Sequence, residues 1–320
     1  MVEVPVKLYL DKVLKTAREA VRPTSLLSGP IRDKALRGMA TALAEAEEPI
    51  LAANETDVDA VGKSMTGYEN RERVRDAVAR IRMTADDVKA LVDRLHHIAD
   101  LPDPLGEVLG RHEEPNGLQV SRVRVPIGVI GIVSELSPLE TIDALALCLK
   151  SGNVCVFRGS PDWTHTQHVI AAALTKAMHD AGIPKGACTI IDRQEKEAAL
   201  ELIKSGKALD AIIPRGGAGL RKVVQEQAKM PILCHDGGIT HVYIDDDVEI
   251  PLAQNIVVNS KVQNPSAPNS VDTLLVHQGI ARPLLSALIL RLLDEFKIDI
   301  YGCPKTVSLM GQMLMTGHKA

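Results

Sequence analysis

From residue 126 onward, short β-branched runs alternate with helical stretches, and this alternation constrains the fold more than any other feature of the chain. Residues 126–133 read Pro-Ile-Gly-Val-Ile-Gly-Ile-Val. No polar side chain interrupts that run, as in a strand covered on both faces. A helix is predicted over 141–150, closed by Ser151-Gly152-Asn153, and a strand over 154–157. An amphipathic helix over 164–181 ends at Gly182 and Pro184. Strand 187–191, helix 195–204, strand 209–213, a glycine-rich turn at 214–219 and helix 220–229 follow. Shorter apolar runs at 232–234 and 241–244 read as two further strands. A βαβα order of this kind implies an α/β fold with a doubly wound parallel sheet and right-handed crossovers.

The flanking regions differ. Residues 5–100 read as helical, with apolar residues recurring every three or four positions, and Asp86-Asp87 stand where an acidic helix start is expected. Leu101-Pro102-Asp103-Pro104 breaks that pattern. A β-hairpin is predicted from 108–112 and 118–125, turning at Glu114-Pro115-Asn116-Gly117. Past Asp245-Asp246-Asp247 come a helix over 250–261, a polar loop to Asn269, strand 271–276, an apolar helix over 281–296, the segment 298–301 and a last helix from Lys305. The predicted division is therefore 1–247, comprising N-terminal helices, hairpin and nucleotide-binding domain, and 248–320, the opening portion of a second α/β domain. The acidic cluster reads as a solvated helix start, with a cation site as the competing reading.

Composition excludes several classes. Two Phe, four Tyr and one Trp in 320 residues leave little for stacking on nucleic acid, and a net charge of −4 gives a polyanion no purchase. No run of about twenty apolar residues predicts a membrane span, and the N-terminus lacks a signal-peptide core. The five cysteines have no metal-ligand spacing, so reduced thiols in a cytoplasmic protein are expected.

The turn Pro214-Arg215-Gly216-Gly217-Ala218-Gly219 lies between an apolar strand and a helix. Glycines there let backbone N–H groups approach an anion, the helix N-terminus adds positive potential, and Arg215 offers a charge-assisted contact. The spacing matches neither the dinucleotide fingerprint nor a Walker A loop. On the residues alone, a tight strand-to-helix reversal explains the turn as well as an anion site does.

A wider set of segments decides more. Leu105-Gly106, residues 124–131, Leu149-Lys150-Ser151-Gly152-Asn153, Arg158-Gly159, residues 213–220, residues 238–243 and residues 272–276 together resemble the glutamyl-phosphate reductases (glutamate-5-semialdehyde dehydrogenases) of the aldehyde dehydrogenase superfamily. The resemblance implies an aldehyde dehydrogenase-like α/β fold. It also implies NADPH-dependent reduction of L-glutamyl 5-phosphate to glutamate 5-semialdehyde in proline biosynthesis, in a homo-oligomer. Cofactor contacts are implied at Arg158, Gly159, Pro214, Arg215, Gly216, Gly217 and Gly219. In the family a cysteine thiolate displaces phosphate, and the resulting thioester accepts hydride.

Here the chain departs from its likeness. The cysteine's position is Pro268, in a loop where Gln263, Pro265, Ser266 and Asn269 keep the family pattern. Proline supplies neither a nucleophile nor a backbone N–H. The family's asparagine, an oxyanion donor, is Leu139, and its ribose-side lysine is Pro161. Ser266 reads as a loop-capping hydroxyl, a poor substitute without a positioned base, and Cys234, beside His235, as a structural thiol, with replacement of the lost nucleophile as its competing reading. By the same likeness, ending at Ala320 leaves the second domain incomplete, with the apolar face at 285–293 needing another cover. Two readings follow: an impaired reductase, or a non-catalytic pseudoenzyme that binds nucleotide or pairs with an intact reductase.

Overall fold

A computed structural model describes residues 4–65, 71–234, 238–265, 267 and 269–315. The chain divides into two compact units, 1–234 and 235–320.

In the first unit five helices come before any strand: α1 (Val6–Ser25), α2 (Gly29–Glu45), α3 (Glu47–Ser64), α4 (Arg71–Ile81) and α5 (Ala85–Asp100). The start of α5 shows why Asp86-Asp87 mark a helix end. Thr84 Oγ1 accepts the Asp87 N–H at 3.3 Å while Asp87 Oδ2 accepts the Thr84 N–H at 2.7 Å, a reciprocal capping box. The hairpin follows as β1 (Val108–Glu113) and β2 (Gln119–Val123), antiparallel, with Gly117 at φ 84° in its turn.

The alternating region then forms β3 (Val129–Ser134), α6 (Pro138–Lys150), β4 (Val154–Arg158), α7 (Thr164–Asp180), β5 (Cys188–Ile190), α8 (Lys196–Lys204), β6 (Ala211–Arg215) and α9 (Ala218–Gln227). The four strands are parallel in the order β5-β4-β3-β6. β3 and β4 are buried along their whole length because each face is covered. Ile130, Ile132, Cys155 and Phe157 join the core formed with α2, α5, α6 and α7. Val129, Val133, Val154 and Val156 point the other way, into a core closed by α1 and α8. Alternate residues of one apolar run thus serve two cores, which is why 126–133 shows no polar positions.

Two strand predictions shift at β6. The strand continues through Pro214 and Arg215, which pair with Val133 and Ser134, so the turn shrinks to Gly216-Gly217 and the helix begins at Ala218 instead of 220. Proline is tolerated there for a definable reason. Ile212 donates its N–H outward to Pro231 O at 2.9 Å, and two residues later the same outward side has no strand to receive a donor. For the same reason 232–234 is no strand, only a single bridge between Ile212 and Ile232.

The second unit contains β7 (His241–Ile244), α10 (Ile250–Val262), β8 (Thr273–Val276), α11 (Ala281–Asp294) and α12 (Pro304–Met315). β7 pairs in parallel with β8, from His241↔Thr273 to Ile244↔Val276, rather than extending the first sheet. The observed division therefore falls at 234/235 and not at 247/248, because β7 finds its partner across α10. Leu284, Leu288 and Leu292 of α11 are buried with Val257 and Val258 of α10, so most of the 285–293 face is covered within the unit itself. Lys297 takes φ 55° and the Ile298 N–H donates to Leu292 O at 3.0 Å, a helix-ending turn in which Ile298 packs back on the core.

Candidate functional site

The strand order places the site. β3, β4 and β5 step in one direction, and β6 returns to the opposite side of β3, so the order reverses between β3 and β6. In open parallel sheets ligands bind outside the carboxyl ends of the strands at such a reversal. The residues found there are Ser134, the last of β3, with Glu135 after it, and Arg215, the last of β6, with Gly216 and Gly217 after it.

These residues are tied together. The Glu135 N–H donates to Arg215 O at 2.8 Å, continuing the ladder one step past the strand. Glu135 Oε2 accepts the Gly217 N–H at 3.1 Å. A Cβ on Gly216 would stand 2.5 Å from that same oxygen and 3.0 Å from Leu220 Cδ2, so glycine is what permits the approach. Arg221 Nη1 braces the turn from below, donating to Gly216 O at 3.1 Å. Gly219, inside the first turn of α9, has open space where a side chain would be.

β4 brings a second group to the same edge. Arg158 is only 5% exposed, and its Nη2 donates to Gln194 O at 2.7 Å while Nε has no partner among the described residues. Burial pulls the guanidinium below the usual arginine range, and the Glu135 and Glu195 carboxylates oppose that pull. Gly159 follows under a side-chain amide: a Cβ would lie 2.0 Å from Gln167 Nε2 and 2.2 Å from Oε1. Gln167 is 2% exposed, yet both its amide atoms lack a partner among the described residues. Orphaned buried polar atoms at a strand end call for water or a ligand atom.

The first turn of α7, just past Gly159 and Ser160, is held from α3. The buried Asp57 carboxylate accepts the His165 N–H at 3.0 Å, the Thr166 N–H at 2.8 Å and the Thr166 hydroxyl at 2.7 Å, with His165 Nδ1 at 2.8 Å. A carboxylate at a helix N-terminus satisfies N–H groups that have no partner within the helix.

Of the expected site residues, Arg158, Gly159, Pro214, Arg215, Gly216, Gly217 and Gly219 lie at the carboxyl ends of β4 and β6 or in the first turn of α9. Leu139 lies in the first turn of α6, partly buried against the α-helical core. Asn269 is exposed in the turn before β8 of the second unit. Pro268, Ser266 and His235 lie outside the described residues, and Cys234 is exposed. Sequence reasoning missed Glu135, Gln167 and Gln194. The usable signal for Glu135 was its place immediately after a fully apolar strand, where a topological reversal makes any charge significant. The acidic cluster gains a third member in His277: Asp245, Asp246 and His277 gather at the ends of β7 and β8. Asp246 Oδ2 lies 3.6 Å from His277 Nδ1, and Asp245 Oδ1 accepts the Tyr243 hydroxyl and the Asp246 N–H.

Comparison with known proteins now adds to the geometry. The aldehyde dehydrogenase family pattern matches residues 7–299. A gamma-glutamyl phosphate reductase of Heliobacterium modesticaldum is 37% identical over 295 residues, covering 92% of this chain and 69% of that protein. The chain belongs to the aldehyde dehydrogenase family, in its glutamyl-phosphate reductase branch. The crystal structure of gamma-glutamyl phosphate reductase from Thermotoga maritima superposes with a TM-score of 0.84 at 30% identity, over 94% of this chain and 71% of that one. Betaine aldehyde dehydrogenase of Staphylococcus aureus, solved in complex with NAD+, shares the fold at 20% identity and a TM-score of 0.62, over 90% of this chain and 54% of that one. The switch-point edge of β3, β4 and β6 is therefore part of an aldehyde dehydrogenase fold.

Proposed function

We propose that this chain binds NADP(H) at the carboxyl edge of β3, β4 and β6, and that its reductase chemistry is suppressed. The supporting observation is the glycine pair Gly216-Gly217 at the reversal of strand order, with the buried Arg158 and the unpartnered Gln167 amide alongside. A flat, anionic dinucleotide fits residues of this kind. Backbone N–H groups at the start of α9 would face phosphate, and glycine at 159 and 216 admits the Gln167 amide and the Glu135 carboxylate to the same edge. When bound, such a cofactor supplies hydride.

By lineage the reaction is reduction of L-glutamyl 5-phosphate to glutamate 5-semialdehyde in proline biosynthesis. That chemistry needs a thiolate to displace phosphate and carry the acyl group. Position 268 holds proline and position 139 leucine, so both the nucleophile and an amide donor to the oxyanion are lost. Loss of one oxyanion donor alone costs about two to three orders of magnitude in rate.

A second reading is a non-catalytic partner of an intact reductase. Every residue of β1 and five-residue β2 is exposed or half-exposed, including Val108, Leu109 and Val123, which leaves a two-stranded ribbon with apolar side chains unpaired. A ribbon of this kind is stabilised by pairing with a second chain, so we assign it to a homo-oligomer or a mixed oligomer. Among the described residues no helix is long and apolar enough to cross a membrane. Free cysteines, three of them buried or partly buried, agree with a cytoplasmic protein.

The test is phosphate-dependent oxidation of glutamate 5-semialdehyde with NADP+, for the natural chain beside Pro268→Cys. The proposal expects negligible turnover by the natural chain and a gain of activity in the variant. Ready turnover without the cysteine refutes suppression.

A further inference from the structure

The switch-point edge holds one charged group that the cofactor reading leaves without a role. Glu135 stands immediately beyond β3 with its side chain folded over the turn that follows β6. Its Oε2 accepts the Gly217 N–H at 3.1 Å, and that oxygen lies 2.5 Å from where a Gly216 side chain would begin. The carboxylate therefore fills the space that the two glycines leave open, and takes the N–H group that an incoming phosphate would use. Its backbone is fixed by the Glu135 N–H to Arg215 O bond, so only the side chain is free to move away. The same charge favours the cationic form of the buried Arg158, whose Nε is unpartnered. One internal carboxylate is thus shared between the two positive features of the edge, the start of α9 and the guanidinium of β4.

The geometry points to Glu135 as an internal competitor for the dinucleotide's phosphate. Its carboxylate occupies the glycine turn as a surrogate anion, and it must swing out before phosphate can be seated. This inference rests on the nucleotide-binding reading above. One N–H cannot serve two anions, and like charges repel at contact distance. Ligand affinity is then reduced by the fraction of molecules in which the turn is open. The side chain's length matters as much as its charge. Aspartate, one methylene shorter, keeps the charge but loses the reach to Gly217. Glutamine keeps the reach but loses the charge. A ligand-binding role for Glu135, such as accepting a ribose hydroxyl, predicts the opposite response to both changes.

The experiment titrates NADPH, followed by its own fluorescence, against the full chain and its Glu135→Gln, Glu135→Asp and Glu135→Ala variants, with thermal melting as the check on folding. A closed turn populated about nine times in ten corresponds to a dissociation constant about tenfold tighter once the competitor is removed. The expected result is a gain of that order in Glu135→Ala, and smaller gains in Glu135→Gln and Glu135→Asp. Inorganic pyrophosphate, used as a second probe, should displace NADPH at lower concentration from Glu135→Ala than from the natural chain. Affinity that stays the same or falls in variants that melt normally overturns the competitor role and leaves nucleotide binding standing. If Glu135→Gln does not fold, Glu135→Asp decides the matter alone, since it keeps the charge that stabilises Arg158. NADPH binding by neither the natural chain nor any folded variant removes the nucleotide-binding reading, and this inference with it.

Discussion

Glu135 and Gly217 meet across the point where the strand order of the sheet reverses, the carboxylate of one accepting the backbone N–H of the other at 3.1 Å. The bond joins the end of β3 to the start of α9, the two elements whose divergence opens a ligand edge in an aldehyde dehydrogenase fold. It shows that a glycine turn with too irregular a spacing for the usual phosphate motifs still holds an anion. The anion here is the protein's own.

Gly159 lies so close to the Gln167 amide that a methyl group there would stand 2.0 Å from Nε2. Gly159→Ala is expected to destabilise the protein by about 1–3 kcal/mol through overpacking. Adding Gln167→Ala should recover most of that loss. Chemical denaturation of the two single variants and the double variant measures the coupling, and strict additivity would show that the two residues do not collide.

Asp57 is buried and accepts bonds from two backbone N–H groups and a hydroxyl at the start of α7. Asp57→Ala is expected to cost about 2–4 kcal/mol, since charged hydrogen bonds and a helix cap are lost together. A thermal melt should show a fall on the order of 5–10 °C. An unchanged melt would mean that solvent replaces the carboxylate without penalty.

The thiols should react in a definite order. Cys303 is exposed at the start of α12, where contact with Thr306 and backbone N–H groups of Thr306 and Lys305 hold its pKa below the usual thiol range. A lowered pKa means more thiolate at neutral pH, so its alkylation should begin at lower pH than that of a free thiol. Cys155 and Cys188 are pushed the other way, Cys155 first by its contact with Cys148 and Cys188 by burial. Peptide mapping after iodoacetamide treatment should find Cys303 labelled and Cys148, Cys155 and Cys188 protected until the protein unfolds. Early labelling of Cys155 would contradict the burial of β4.

The hairpin offers a check on assembly. Leu109 in β1 and Val123 in β2 are exposed. Leu109→Glu with Val123→Glu should shift a size-exclusion peak to a smaller species while leaving the melting of the remaining fold within a few degrees. An unshifted oligomer would assign assembly to another surface.

Much of this architecture was legible in the residues. Alternating apolar runs and glycine-closed helices gave the parallel sheet, since each strand must be covered on two faces and its sequence shows it. Local pattern failed where partners decided the outcome. Residues 241–244 have strand character in either sheet, and only the presence of 273–276 across α10 shows which ladder they join. The role of Ile298 was not legible locally, since its apolar side chain serves a helix-ending turn that packs back on the core. Pro214 argued for a loop, yet it sits in β6 because its missing donor faces a side without a ladder. The glycine turn was visible and its significance was not, because Glu135 is 82 residues away in sequence and meets it only through the reversal of strand order.

The proposed suppression turns on position 268, where the resemblance to the reductase branch implies a nucleophile and this chain has proline. The most direct measurement is intact-protein mass spectrometry after incubation with glutamate 5-semialdehyde and NADP+ in the absence of phosphate. Under those conditions an active-site thiol would retain the oxidised acyl group as a thioester. The account predicts an unchanged mass for the natural chain and an acyl adduct for Pro268→Cys. An NADP+-dependent acyl adduct on the natural chain would contradict it.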